Sequence, residues 1–150
     1  MCLGNICRSP MAEGILRQRA IDRGIDLEID SSGTGDYHIG ESPDHRAMTA
    51  MVKNGLDISD LRARQFSLRD FDLFDKIFVM DHSNYRNVLK LAKSEGDRSK
   101  VELFLNLAYP GENREVPDPY FGGDQGFQSV HDMLLAATDA FLDSIDGQEG

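Results

Sequence analysis

The sequence predicts an α/β domain in which a parallel sheet carries helices on both faces. Three observations lead there. Short apolar runs with strand character alternate with segments of helical periodicity along the chain. The last segment, from about 125 to 144, sets Phe127, Val130, Leu134, Ala137 and Phe141 at helical spacing, so they are core residues. The chain has 150 residues, enough for one core and too few for two, so 1–150 is read as a single domain.

The elements follow in order. Ser9 is a favoured N-cap and Pro10 suits the first helical position, so a helix runs from about Pro10 to Arg23, with Met11, Ile15 and Leu16 on one face and Gly24 as its stop. Leu27 to Asp30 reads as a short strand, followed by a loop rich in Ser and Gly from Ser32 to Pro43. A second helix spans about Asp44 to Asn54 and stops at Gly55. Ser67 to Phe71 forms a helical turn, and Lys76 to Met80 is a strand apolar enough to be buried. A helix from about Ser83 to Ser94 and a strand from about Lys100 to Asn106 come next. An irregular stretch then leads to the last helix. Ligands on such sheets bind beyond the carboxyl ends of the strands.

Composition excludes several function classes. A formal net charge of −10 argues against a nucleic-acid partner, which calls for a basic face. No apolar run reaches the roughly 20 residues of a membrane span, and no secretory signal precedes the first motif, so the expected location is cytoplasmic with no membrane partner. His38, His45, His82 and His131 lack metal-ligand spacing, so no metal or other cofactor is expected.

The chemistry is concentrated at the start. Cys2 and Arg8 are separated by five residues and lead into a helix. A thiol attacks as thiolate, a form favoured beside a cation and a helix N-terminus. Leu3, Gly4, Asn5, Ile6 and Cys7 can curl into a nest of inward amides, with Gly4 and Asn5 tolerating positive φ, and Ser9 closes the loop. Such a nest seats a phosphate or sulfate ion, and the planar fork of Arg8 can hold two of its oxygens. A second segment, Val116-Pro117-Asp118-Pro119-Tyr120-Phe121, sets a carboxyl between two prolines that restrict the backbone. Alone, Asp118 reads as a turn residue; beside a cysteine loop it reads as a general acid. The two cysteines, Cys2 and Cys7, are too close to staple a fold, and Cys7 is either a reversible disulfide partner or a small buried hydrophobe.

The string Cys2-Leu3-Gly4-Asn5-Ile6-Cys7-Arg8-Ser9-Pro10-Met11-Ala12-Glu13 closely resembles the signature of the low-molecular-weight protein tyrosine phosphatases. The likeness continues at Ile29-Asp30-Ser31, Ala63-Arg64-Gln65, Val79-Met80-Asp81 with Ser83-Asn84, and Asp118-Pro119-Tyr120-Phe121. It implies a four-stranded parallel sheet and hydrolysis of phosphotyrosine through a cysteinyl-phosphate. Cys2 is then the nucleophile, Arg8 binds phosphate and the transition state, and Asp118 is the general acid and base. The resemblance further implies that Asn5, Ser9 and Ser31 hold the loop, that Asp81 supports it, and that Ile6, Tyr37, Tyr120 and Phe121 wall the pocket. Leu61 stands where the family often has a histidine, a departure that bears on loop support. Relatives acting on phosphoarginine typically carry Thr at the place of Ile6, so the expected substrate is a phosphotyrosine protein or a small aryl phosphate.

In the family the cysteine loop follows a hydrophobic central strand, which is missing here because only Met1 precedes Cys2. A start assigned late explains this, since a valine GTG codon read as a start is written Met; the competing account is a chain that lacks the strand. Two other functions remain open. An arsenate reductase shares this fold and loop but needs cysteines after Cys7, and none follows. A non-catalytic phosphate-binding module would follow if the missing strand disabled the site.

Overall fold

The computed structural model describes residues 1–119 and 124–149. Helix α1 covers Arg8–Asp22, α2 His45–Lys53, α3 Asp70–Leu73, α4 His82–Leu89, α5 Glu95–Ser99 and α6 Asp124–Glu149. Strands β1 (Ile77–Val79) and β2 (Val101–Leu103) pair in parallel, with Ile77 opposite Val101, and a 3-10 turn at Phe104–Leu107 follows β2.

The apolar pattern sorts the helices to two sides of the strands. Ile77 and Val79 point toward a cluster with Phe66, Phe71, Val88 and Leu103. Phe78, one residue out of step, packs instead on Phe104 and Phe141, with ring centroids 5.4 and 5.2 Å away. That alternation is the period of two expected of a strand buried on both faces. On the Phe78 side, Met11, Ile15, Met51, Phe127, Val130 and Leu134 form the larger core, where α1 and α2 pack on α6. Arg19 and Arg23 tie the end of α1 to Asp139 on α6, at 2.9 and 3.4 Å.

Four sequence expectations are corrected. Helix α1 begins at Arg8, not Pro10, because Cys7 occupies the N-cap position and the Ser9 hydroxyl is engaged by Asn5 and Cys2. The helix predicted to run on to Ser94 stops at Leu89; Ser94 instead caps a separate helix, α5, by accepting from the Asp97 N–H. The strand predicted to Asn106 ends at Leu103, where the chain tightens into the 3-10 turn.

The largest correction concerns the sheet. Among the described residues the regular sheet has two strands, not four, and Leu27–Asp30 is not a strand. Ile25, Leu27 and Ile29 are half-buried while Asp26, Glu28 and Asp30 are exposed, so the segment keeps a strand's alternation without a ladder. Only Met1 and Cys2 occupy the middle of the row. The Met1 ammonium donates to the Phe78 carbonyl at 2.7 Å, and Met80 N–H donates to the Met1 carbonyl. Isolated parallel bridges join Cys2 to Gly33 and Gly33 to Gln65. Beyond the two-stranded sheet, the row continues only as single bridges through Cys2, Gly33 and Gln65.

Candidate active site

The site begins with a backbone constraint. Asn5 sits at φ 58°, a left-handed conformation that Asn tolerates better than most residues. Its side chain is fully engaged: Nδ2 donates to Ser9 Oγ at 2.7 Å and to Ser31 Oγ at 3.0 Å, and Oδ1 accepts from Arg64 N–H at 2.9 Å. Because both hydroxyls accept from Asn5, each turns its own proton outward. Ser31 donates to Glu13 Oε1 at 2.6 Å, and Ser9 faces Cys2 Sγ at 3.0 Å. The Ser9 hydroxyl also donates to the Ser32 carbonyl at 3.4 Å, so one amide fixes a hydroxyl beside the sulfur.

The loop's other side is fastened by backbone. Asp44 N–H donates to the Ile6 carbonyl, Gly35 N–H to Leu3 and Thr34 N–H to Cys2, at 2.7, 2.8 and 3.0 Å. Among the described residues, no acceptor takes the backbone N–H groups of Leu3, Gly4, Asn5, Ile6 or Cys7. Five donors on one short loop leave it able to receive an anion. Gly33 is where the Ser32–Pro43 loop presses on this backbone. A Cβ there would lie 2.7 Å from the Leu3 carbonyl oxygen and 3.0 Å from Asn5 N, and neither neighbour is a side chain that can swing away. Gly33→Ala is expected to destabilise the fold by about 1–3 kcal/mol, the usual cost of overpacking, and to weaken phosphate binding; thermal melts with and without phosphate measure both.

Arg8 is 3% exposed and held from two directions. Its Nη1 donates to Asp81 Oδ2 at 2.7 Å and to the Val116 carbonyl at 2.9 Å. Asp81 uses its other oxygen, Oδ1, to accept from Asn84 N–H and so caps α4. It therefore both caps a helix and contacts the arginine. Asp118 Oδ2 lies 3.7 Å from Arg8 Nη2, and its side chain is 40% exposed. Cys2, Leu3, Gly4, Ile6, Cys7, Arg8, Tyr37, His38 and Asp118 together border a cleft of about 210 Å³.

The predicted residues converge with few exceptions. Tyr37 stands at the rim, 73% exposed, and Tyr120 and Phe121 lie outside the described residues. Leu61 packs against the larger core, so the position where the family often has a histidine contributes apolar contact. Both cysteines are free thiols; burial pushes the Cys7 thiol well above its usual value, with Asp44 adding to the rise, which matches a small buried hydrophobe. Sequence reasoning missed Glu13, a 5%-exposed carboxylate raised above its usual range by burial despite the Ser31 hydrogen bond and Arg17 at 2.8 Å. Its signal was present, as the last residue of the signature string. His38, read as a surface or loop residue, lines the cleft beside Glu41, and nothing in its spacing marked it.

Fold and site define an α/β domain whose first turn carries a cysteine in an anion-receptive loop, with a cation and an acid across the cleft. The family model described as "Low molecular weight phosphotyrosine protein phosphatase" matches residues 1–149. The chain belongs to that family, and its curated relatives are named as protein tyrosine phosphatases, hydrolases acting on phosphotyrosine. It is 45% identical to the low molecular weight phosphotyrosine protein phosphatase of Schizosaccharomyces pombe, over 97% of this chain and 94% of that one. Its fold matches a crystal structure of a protein tyrosine phosphatase from Entamoeba histolytica with Hepes in the active site, at TM-score 0.91 and 33% identity, covering 99% of this chain and 96% of the other. A Drosophila arginine phosphatase is also similar, at TM-score 0.88 and 32% identity, covering 96% and 94%.

Proposed function

We propose that this chain hydrolyses phosphotyrosine through a covalent cysteinyl-phosphate. Cys2 Sγ attacks phosphorus, the bond to the phenolic oxygen breaks, and Asp118 gives that oxygen its proton. Asp118, now a carboxylate, then takes a proton from water as the water attacks phosphorus. The sulfur–phosphorus bond breaks, leaving inorganic phosphate and the thiolate. Arg8 and the five free loop amides hold the three non-bridging oxygens in both steps, where negative charge gathers in the transition state. The carrying observation is that Cys2, Arg8 and Asp118 border one cleft.

The substrate class follows from the wall. Ile6 and Leu3 are apolar, and Tyr37 can cover a ring at the rim, an arrangement suited to an aryl group more than to a guanidinium. The arginine phosphatase relative makes phosphoarginine the comparison to run. We place the protein in the cytoplasm, where two unpaired thiols stay reduced. No helix among the described residues is long and apolar enough to cross a membrane.

Rapid acid quench of Asp118→Ala with an aryl phosphate, followed by digestion and mass spectrometry, is expected to find a phosphate adduct on the Met1–Arg8 peptide at Cys2. Phosphate on a serine or histidine, or turnover with no adduct at any time, overturns this route.

A further inference from the structure

His38 has no part in the phosphate chemistry, yet it borders the same cleft as Cys2, Arg8 and Asp118. Its ring lies against the cysteine loop itself. A Cβ added at Gly4 would come within 2.9 Å of His38 Cδ2, so the ring takes the space that a side chain at position 4 would fill. The backbone that carries the ring is fastened as well. Glu41 N–H donates to the His38 carbonyl at 2.9 Å, Gly40 N–H donates to the Ala63 carbonyl, and Ala63 N–H donates to the Glu41 carbonyl, the last two both at 2.8 Å. His38 is thus a fixed member of the cleft's rim and not the tip of a free loop.

The ring is also oriented. Its Nδ1 lies 2.5 Å from Glu41 Oε2, a hydrogen-bonding separation. A carboxylate can only accept, so Nδ1 carries the proton and the tautomer is set. Among the described residues no partner takes Nε2, and the side chain is 32% exposed. That nitrogen has no task left at the phosphate, where five loop amides and Arg8 meet the non-bridging oxygens and Asp118 serves the bridging one. A phosphotyrosine side chain offers no other polar atom, so the remaining partner is the main chain that carries it. Main chain has both N–H and C=O, and Nε2 therefore finds a complement whether the ring is neutral and accepts or charged and donates.

We propose that His38 Nε2 hydrogen-bonds the substrate's main chain beside the phosphotyrosine, with Glu41 as the positioning residue that aims it. The substrate this rim fits is then a phosphotyrosyl polypeptide and not a small aryl phosphate. Tyr37 and Ile39 flank His38 in sequence and are 73% and 57% exposed, so the edge offers a peptide apolar surface around one placed polar atom. The proposal rests on the phosphotyrosine reading above.

His38→Phe keeps a ring beside Gly4 and removes the nitrogen. It should lower kcat/KM for a phosphotyrosyl hexapeptide about 3–10-fold more than for p-nitrophenyl phosphate, which has no main chain, with the difference carried by KM. Both substrates meet the same protein, so any loss of folded enzyme cancels from the comparison. Glu41→Ala should give the same differential, whereas Glu41→Gln, whose amide oxygen still accepts from Nδ1, should keep the parent's ratio. An equal loss on both substrates, no loss on either, or a differential in kcat alone overturns the peptide contact. Glu41→Gln behaving as Glu41→Ala does overturns the positioning role. Cys2→Ser assayed alongside separates the two readings. Turnover that survives it defeats the phosphatase mechanism and this proposal with it, while Cys2-dependent turnover without the differential defeats the His38 contact alone.

Discussion

Cys2→Ser is expected to lower turnover of p-nitrophenyl phosphate by at least about 10⁴-fold, the scale on which a covalent mechanism loses its nucleophile. The change is small in volume and keeps the loop's supports. Asn5 still donates to Ser9 and Ser31, and the Leu3–Cys7 amides remain free, so phosphate affinity measured calorimetrically should be little changed. What is lost is the sulfur nucleophile, because a serine hydroxyl in its place needs a base to remove its proton. Ser9 cannot serve, since it is itself a hydroxyl that accepts from Asn5 and donates to the Ser32 carbonyl. Turnover surviving the substitution would defeat the assignment of Cys2. No turnover by either protein, with phosphate binding retained in both, would instead favour a phosphate-binding module.

What the sequence made legible was local. The loop, the acid between prolines and the apolar stripe of α6 depend on neighbours in sequence, and their spacing announces them. What it hid was made by distant partners. Leu27–Asp30 has the alternation of a strand, yet it forms no ladder because a strand exists only where a neighbour lies beside it. Glu13 and His38 gain their places from how α1 and the Ser32–Pro43 loop fold against Cys2. The roles of Asp81 could be listed from sequence but not chosen between, because its two oxygens reach Arg8 and Asn84 separately. The start of α1 was misplaced for a related reason. Ser9 is a good cap by type, but the loop network claims its hydroxyl first.

Asp118→Ala is expected to reduce kcat for phenyl phosphate by about 10²–10⁴-fold, the ordinary worth of general acid and base help. The effect should depend on the leaving group. A phenolate with a high conjugate-acid pKa needs the proton as its bond to phosphorus breaks, whereas p-nitrophenolate leaves more readily without one. Across a series of aryl phosphates, the variant's rate should therefore fall more steeply with leaving-group basicity than the parent's. Pro117 and Pro119 restrict the backbone around Asp118, and its side chain, 40% exposed, is open to the cleft it borders. The same segment holds the receptor, since the Val116 carbonyl accepts from Arg8 at 2.9 Å. Acid and cation are thus tied through two residues of chain. Asp118→Asn keeps the shape, cannot deliver a carboxylic proton, and should match the alanine variant in kcat with KM near the parent value. An unchanged rate on phenyl phosphate in either variant would remove Asp118 from the mechanism. A large rise in KM with kcat preserved would make it a binding residue instead, acting through Arg8 at 3.7 Å.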